Sequence, residues 1–219
     1  LEYYRESLFS DKFETGVKEN KRQWYATAFL QDDWSINKQF SVIAGLRCDY
    51  HEKYGTNLTP KASVMYKIFP FTVRFNYARG YRSPSIKELY MNWDHLGMFW
   101  IYGNSKLKPE TNNYISLSGE YVNSWININA NVYSNWFRNK IEGMWSNDQT
   151  ELHYINIGKS RLAGVETMCK IQINRHINVH GAYNYLYTSK DADGVRLSSS
   201  SPHSGNIRAE YNTRIPRYA

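Results

Sequence analysis

The chain has 219 residues, a net charge of +7, 42% hydrophobic and 21% charged residues. Aromatics reach 16%, led by 19 Tyr and 7 Trp, which excludes intrinsic disorder. No apolar run approaches the ~20 residues of a spanning helix, two Cys cannot build a disulfide scaffold, and 13 Gly and 6 Pro follow no fibre period.

In chain order the dominant pattern is alternation with period two, the signature of strands. Alternation predicts strands over 22–35, 40–50, 58–68, 71–81, 113–123, 125–145, 151–173, 177–188 and 204–213, with part of a tenth in residues 1–9. From Phe40 onward, Val42, Ala44, Leu46, Cys48 and Tyr50 share one face, and Ser41, Gly45, Arg47 and Asp49 the other, with Ile43 the exception. Further on, Ile126, Ile128, Ala130 and Val132 alternate with Asn127, Asn129 and Asn131. Many of these runs exceed the five or six residues usual in soluble strands.

The connections alternate in kind. Tight turns are expected at Asn37-Lys38, Phe69-Pro70, Ser124 and Asn174–His176, and longer loops at 52–57, 82–112, 146–150 and 189–203. An up-and-down meander then places every tight turn at one end. Long strands with one polar face, sorted connections and aromatics near strand ends describe an all-β fold, an antiparallel transmembrane β-barrel fragment. Lipid offers no hydrogen bonds, so such a backbone must be paired strand to strand. Trp24, Trp34, Tyr50, Trp125, Trp136 and Tyr187 fall where interfacial rings belong. Arg47, Asp49, Arg74, Glu120, Glu166 and Lys170 then line a wet interior. Cys48 and Cys169 sit on apolar faces and are expected unpaired.

The longest connection, 82–112, carries the most specific residues. Ser83 before Pro84 predicts a helix Pro84–Tyr90, with Ser85-x-x-Glu88 as an overlapping, weaker capping pattern. The stretch from Asn92 to Asn104 is aromatic and apolar and holds His95, a composition that marks a binding surface or lid when exposed. His51 and His203 are placed in loops at the same end, His153 near an upper strand end, His176 in a tight turn and His180 facing the interior; all five read as satisfied polar residues. There is no Gly-x-Ser-x-Gly, His-Glu-x-x-His or Gly-rich phosphate loop, so no enzyme is expected and no catalytic residue is assigned. Scattered positive charge without a recognition motif predicts no nucleic-acid partner.

Four segments are familiar together. Thr59–Ser63, Gly80–Tyr90, Asn104–Glu110 and Asn156–Glu166 resemble, in order and spacing, the C-terminal half of a TonB-dependent outer-membrane receptor. The resemblance implies a 22-stranded barrel in the outer membrane of a Gram-negative bacterium, of which residues 1–219 supply about nine or ten strands. It implies uptake of a scarce small-molecule nutrient, with outer-membrane lipid around the barrel. It also implies energy coupling to the TonB–ExbB–ExbD complex through a plug, and the plug and last strands are expected outside this chain. No cofactor is required.

Within that family, Tyr81-Arg82-Ser83-Pro84 and Asn104-Ser105-Lys106-Leu107, with His95 between them, resemble two boxes of haem receptors. They depart at Ser83 and at Ser105-Lys106. The closer resemblance implies haem as the transported ligand, with His95 as axial ligand to its iron. Trp93 and Trp100 would pack on the porphyrin, and Tyr81, Arg82, Pro84, Asn104 and Leu107 would belong to the binding region. Siderophore and cobalamin receptors carry similar boxes and remain the alternatives.

Overall fold

The computed structural model describes residues 1–189 and 201–211. Ten long strands form one sheet: β1 (Glu2–Ser10), β2 (Glu19–Ser35), β3 (Phe40–His51), β4 (Gly55–Ile68), β5 (Phe71–Arg82), β8 (Glu110–Val122), β9 (Ile126–Trp145), β10 (Glu151–Gln172), β11 (Ile177–Thr188) and β12 (His203–Tyr211). Between β5 and β8 lie α1 (Ile86–Tyr90), β6 (Asn92–Asp94) and β7 (Trp100–Tyr102). The long strands pair in chain order, each antiparallel to its neighbour.

Register turns the alternation of single strands into two opposed faces. Val42, Val64, Phe75, Leu117, Val132, Val165 and Tyr185 are successive partners across seven strands. The neighbouring row runs Ser41, Met65, Arg74, Ser118, Asn131, Glu166, Asn184 and Ser204. The apolar row is exposed, with Val132 at 55% and Leu117 at 54%. A continuous exposed apolar band backed by a polar face is the arrangement of a transmembrane barrel wall. Aromatic rings bound the band. Phe71 and Tyr121 pack 5.1 Å apart toward the tight turns, and Tyr3, Trp24 and Tyr50 form a chain of rings toward the long loops.

The polar face is cross-linked strand to strand. Ser63 donates to Asn76 at 2.7 Å, and Asn76 donates to Ser116 at 3.0 Å. Asn131 donates to Glu166 at 3.3 Å. Cys48 and Cys169 are both free.

Several expectations need adjusting. Residues 1–9 belong to a full strand, β1, and β2 begins three residues before the expected position 22. Pairing of His51 with Gly55 shortens the connection expected at 52–57, so that loop is tight as well. His203 belongs to β12 and not to a loop. The ends expected for the last strand, 212–213, and most of the loop 189–203 lie outside the described residues. The helix starts at Ile86 with Ser85 as N-cap, not at Pro84 behind Ser83. Ser85 Oγ accepts from the Glu88 amide at 3.3 Å while the Glu88 carboxylate accepts from the Ser85 amide at 2.8 Å, a complete reciprocal cap. The weaker of the two capping patterns therefore sets the start.

The long connection does not project freely. It folds over the polar face and builds a small core of its own. Ile86 and Met91 pack on Phe13 from the β1–β2 connection, and Leu89 and Leu107 pack on Ile141 of β9. β6 pairs with β7, and β7 adds in parallel to Glu151–His153 on the edge of β10 opposite β9. Neither short strand was expected.

Gly103 sits where β7 passes the end of α1. Its amide donates to Met91 O at 2.8 Å, and a Cβ would lie 2.8 Å from the Tyr90 amide nitrogen. Backbone atoms cannot yield as a flexible side chain can. Gly103→Ala is expected to cost about 1–3 kcal/mol and loosen the loop. Limited proteolysis would show new cleavage between residues 83 and 109 while the strands stay protected.

Candidate functional site

Arg82 ends β5, and its guanidinium fastens the loop. One edge contacts both oxygens of Glu88 at 2.9 and 3.0 Å, and the rest reaches the Glu110 carboxylate at 3.0 and 3.3 Å. Glu88 is also held by the Ser85 amide and hydroxyl, at 2.8 and 3.0 Å. Glu110 accepts from the Ile141 amide at 2.9 Å. The planar fork of arginine suits two carboxylates at once, which a lysine cannot match. Helix, loop exit and β9 thus meet on one side chain.

Below this clasp lies a cavity of about 320 Å³ between the polar faces of β1–β3 and the end of β5. Its wall is mostly satisfied. Thr27 donates to Asp49 at 2.7 Å, Arg47 Nε donates to Asp49 at 2.9 Å, and Gln23 donates to Glu6 at 2.6 Å. Two groups are not. His51 is 1% exposed, and its Nδ1 accepts from the Lys53 amide at 3.1 Å. With Nδ1 accepting, the neutral ring carries its proton on Nε2. That Nε2 is buried with no hydrogen-bond partner among the described residues, and so is the Tyr81 hydroxyl. Buried polar atoms are nearly always paired, so two orphans lining one cavity mark where a bound molecule or water completes the network. His51 was expected to be a satisfied residue in a loop. It ends a strand and is satisfied on one side only.

Tyr54 packs on His51 with ring centres 4.9 Å apart and donates to Leu107 O at 3.2 Å. Burial pushes its phenol up to about 12, so it remains a donor throughout physiological pH.

A second group of residues crowns the loop. His95 stacks on Phe99 at 4.8 Å, and Phe99 meets Trp145 edge-on at 4.7 Å. Trp100 and Tyr102, both on β7, lie 6.1 Å apart, and across the β7–β10 pairing Tyr102 stacks on His153 at 4.8 Å. His153 contacts Glu151 at 2.8 Å. Trp100 and Met98 are exposed.

The residues singled out from sequence therefore separate. Tyr81 and Arg82 line the cavity, with Pro84 fully buried beside it. Asn104 donates to Tyr154 O at 3.0 Å and Leu107 is 2% exposed, so both hold the loop in place. Trp93 packs against the Phe13–Ile86 cluster. His95 and Trp100 belong to the crest and do not line the cavity. Sequence reasoning missed His51, the Arg47–Asp49 pair as cavity wall, and the joint role of Glu88 and Glu110. The last had a visible signal: Arg82 and Glu110 stand at the two ends of the longest connection, with Glu88 between them. Among the described residues no group of three His, Cys, Asp or Glu side chains could hold a metal ion.

Known proteins resemble this chain in sequence and in fold. The family profile described as TonB dependent receptor-like, beta-barrel matches residues 3–218. The "Iron-regulated outer membrane virulence protein" of Vibrio cholerae is 25% identical over 201 residues, covering 84% of this chain and 30% of that protein. The "Ferrienterobactin receptor" of Escherichia coli is 24% identical over 222 residues, covering 91% of this chain and 30% of its own length. Among solved structures, the siderophore receptor PirA from Pseudomonas aeruginosa superposes with a TM-score of 0.77 at 18% identity, covering 95% of this chain and 38% of that one. The chain spans about 30% of the length of these curated relatives. The family is one of receptors and transporters, not enzymes. With one sheet of long antiparallel strands, an inward-folded loop and a profile match along almost its whole length, this chain belongs to the TonB-dependent receptor β-barrel family.

Proposed function

We propose that this chain is barrel wall and substrate loop of an outer-membrane importer of ferric chelates, a siderophore receptor in its broad class. The observation that carries the reading is the cavity under the clasped loop, with His51 Nε2 and the Tyr81 hydroxyl both buried and unpaired. A polar chelate passing the loop would find there two hydrogen-bond groups with no internal partner. The names of the iron-regulated and ferrienterobactin relatives support the substrate class. Import against a gradient requires energy, which the TonB–ExbB–ExbD complex would supply through a plug domain. Outer-membrane lipid would surround the apolar face.

The test is a binding titration of the full-length protein in detergent with a panel of ferric catecholates and hydroxamates. His51→Ala and Tyr81→Phe are each expected to weaken the preferred chelate roughly tenfold, the cost of one hydrogen bond to a buried group. Equal affinity in wild type and both variants would remove the cavity from the substrate path.

One observation favours a second reading, haem. His95 presents its ring on an aromatic crest with Phe99, Trp145 and Trp100, surfaces suited to a flat porphyrin. A neutral imidazole there would serve as one axial ligand to haem iron. In the same titration, a Soret shift lost in His95→Ala would select haem. A Soret band unchanged by His95→Ala would return His95 to packing on Phe99.

A further inference from the structure

We propose that His51 is a proton-controlled latch on the long loop: its neutral ring holds the β3–β4 turn in the shape that fastens Ser105 and Leu107, and protonation lets them go. The proposal rests on the geometry of the turn and is independent of the transported substrate.

Glu52, Lys53 and Tyr54 join His51 to Gly55, whose φ of +71° suits glycine. The two halves of this turn hold different things. The first is fixed to the wall: Glu52 N donates to Trp24 O at 3.3 Å, and the Glu52 carboxylate accepts from the Trp24 amide at 3.0 Å. The second carries the outgoing arm of the loop. Lys53 Nζ donates to Ser105 O at 3.2 Å and lies 5.7 Å from the ring centre of Tyr90 in α1, and the Tyr54 hydroxyl donates to Leu107 O. One bond ties the second half to the strand, from the Lys53 amide to His51 Nδ1 at 3.1 Å. A side-chain acceptor two residues before the donated amide is the device by which Asn and Asp close a turn on themselves. Here a histidine supplies it, and a histidine acceptor titrates near neutrality.

A proton on Nδ1 turns the acceptor into a donor facing another donor. The bond to the Lys53 amide is then lost, and the ring has to rotate. Asp49 and Glu6 face the same cavity from β3 and β1, bonded to Arg47 and Thr27 and to Gln23, and their charge draws an imidazolium inward. Tyr25 of β2 and Tyr54 flank the ring, while Tyr81 and Arg82 of β5 line the cavity, with Arg82 held by Glu88 and Glu110. His51 lies beyond Tyr50 and the aromatic rings that bound the apolar band. Burial pushes its imidazole below the ordinary histidine value; Glu52 favours the charged ring and Lys53 opposes it. The neutral ring therefore belongs to the fastened turn and the charged ring to the released one. The latch is complete above pH of about 6.5 and weakens as pH falls from there. Tyr54, held up to about 12, stays a donor throughout.

Hydrogen exchange of the cargo-free, full-length protein in detergent tests this, with protection corrected for intrinsic exchange at about pH 7.5 and about pH 5.5. Protection of the Lys53, Lys106 and Leu107 amides is expected to fall roughly fivefold at the lower pH, within the tenfold that one proton can give one unit below about 6.5. His51→Asn keeps an acceptor for the same amide and does not titrate, so it should hold neutral-pH protection at both values. His51→Ala should be poorly protected at both. His153→Gln removes the exposed histidine paired with Glu151 and should leave the wild-type response intact. Heat-modifiable gel mobility checks that each variant is a folded barrel. Equal wild-type protection at the two pH values overturns the proposal, as does a pH response that survives in His51→Asn. So does a folded His51→Ala with wild-type protection at neutral pH. Because no cargo is present, none of these results depends on what the cavity binds.

Discussion

Val132→Arg is expected to destabilise the folded barrel by about 2–4 kcal/mol, the cost of a guanidinium on the lipid face near the bilayer centre. Val132 is 55% exposed and lies in the middle of the apolar row, between Leu117 and Val165. The stretch from Ile128 to Trp136 has the length that crosses hydrocarbon on a tilted strand. Asn131→Arg, one residue away, points to the polar face beside Glu166 and is expected to cost under about 1 kcal/mol. Urea unfolding in lipid vesicles gives both values. If Asn131→Arg were the more damaging, the faces would be assigned the wrong way round. Ala130 and Ile128 are further positions on the apolar face for the same test.

Arg82→Ala is expected to release the loop. Glu110 would be left with the Ile141 amide alone, and Glu88 would keep its cap but lose the strand. Arg82 is 43% exposed at its side chain, so the full penalty of a buried ion pair does not apply. A loss of about 1–3 kcal/mol in loop stability follows from removing a charged partner of two carboxylates. Arg82→Lys is expected to rescue little of it, because one ammonium cannot bridge both acids. Hydrogen exchange reads the effect locally: amides between residues 86 and 107 should exchange roughly 10-fold faster or more, while the strand amides below are unchanged. Uniformly faster exchange would assign Arg82 to the barrel as a whole.

The long strands were legible because their physics is local. Alternation over ten or more residues survives inspection of one strand at a time, and each strand in the apolar row carries its own copy of the signal. What was not legible depends on contacts between distant segments. β6 and β7 are three residues each and exist because β10 offers an open edge. Nothing in Trp100–Tyr102 announces that partner. His51 looked like a loop residue because part of its burial is imposed by a neighbour remote in sequence, Tyr25 of β2, which stacks on it from the side opposite the nearby Tyr54. The helix start was misplaced by two residues because Pro84 suits a first turn, yet only Glu88 can reach back to close a cap, and it reaches Ser85. The candidate site divides the same way. Tyr81 and Arg82 stand beside a readable motif, whereas the groups that face them from β1–β3 come together only through the register of the sheet.

Arg82 and Glu110 are cross-strand partners as well as an ion pair, so the chain leaves the wall and re-enters it at a single point. To the barrel, the whole excursion between them is equivalent to a hairpin turn. Its length and content can change without shifting any strand against its neighbour, provided the two anchoring residues remain. The segment is in effect an interchangeable cassette. Replacing it would leave the pairing of the scaffold untouched.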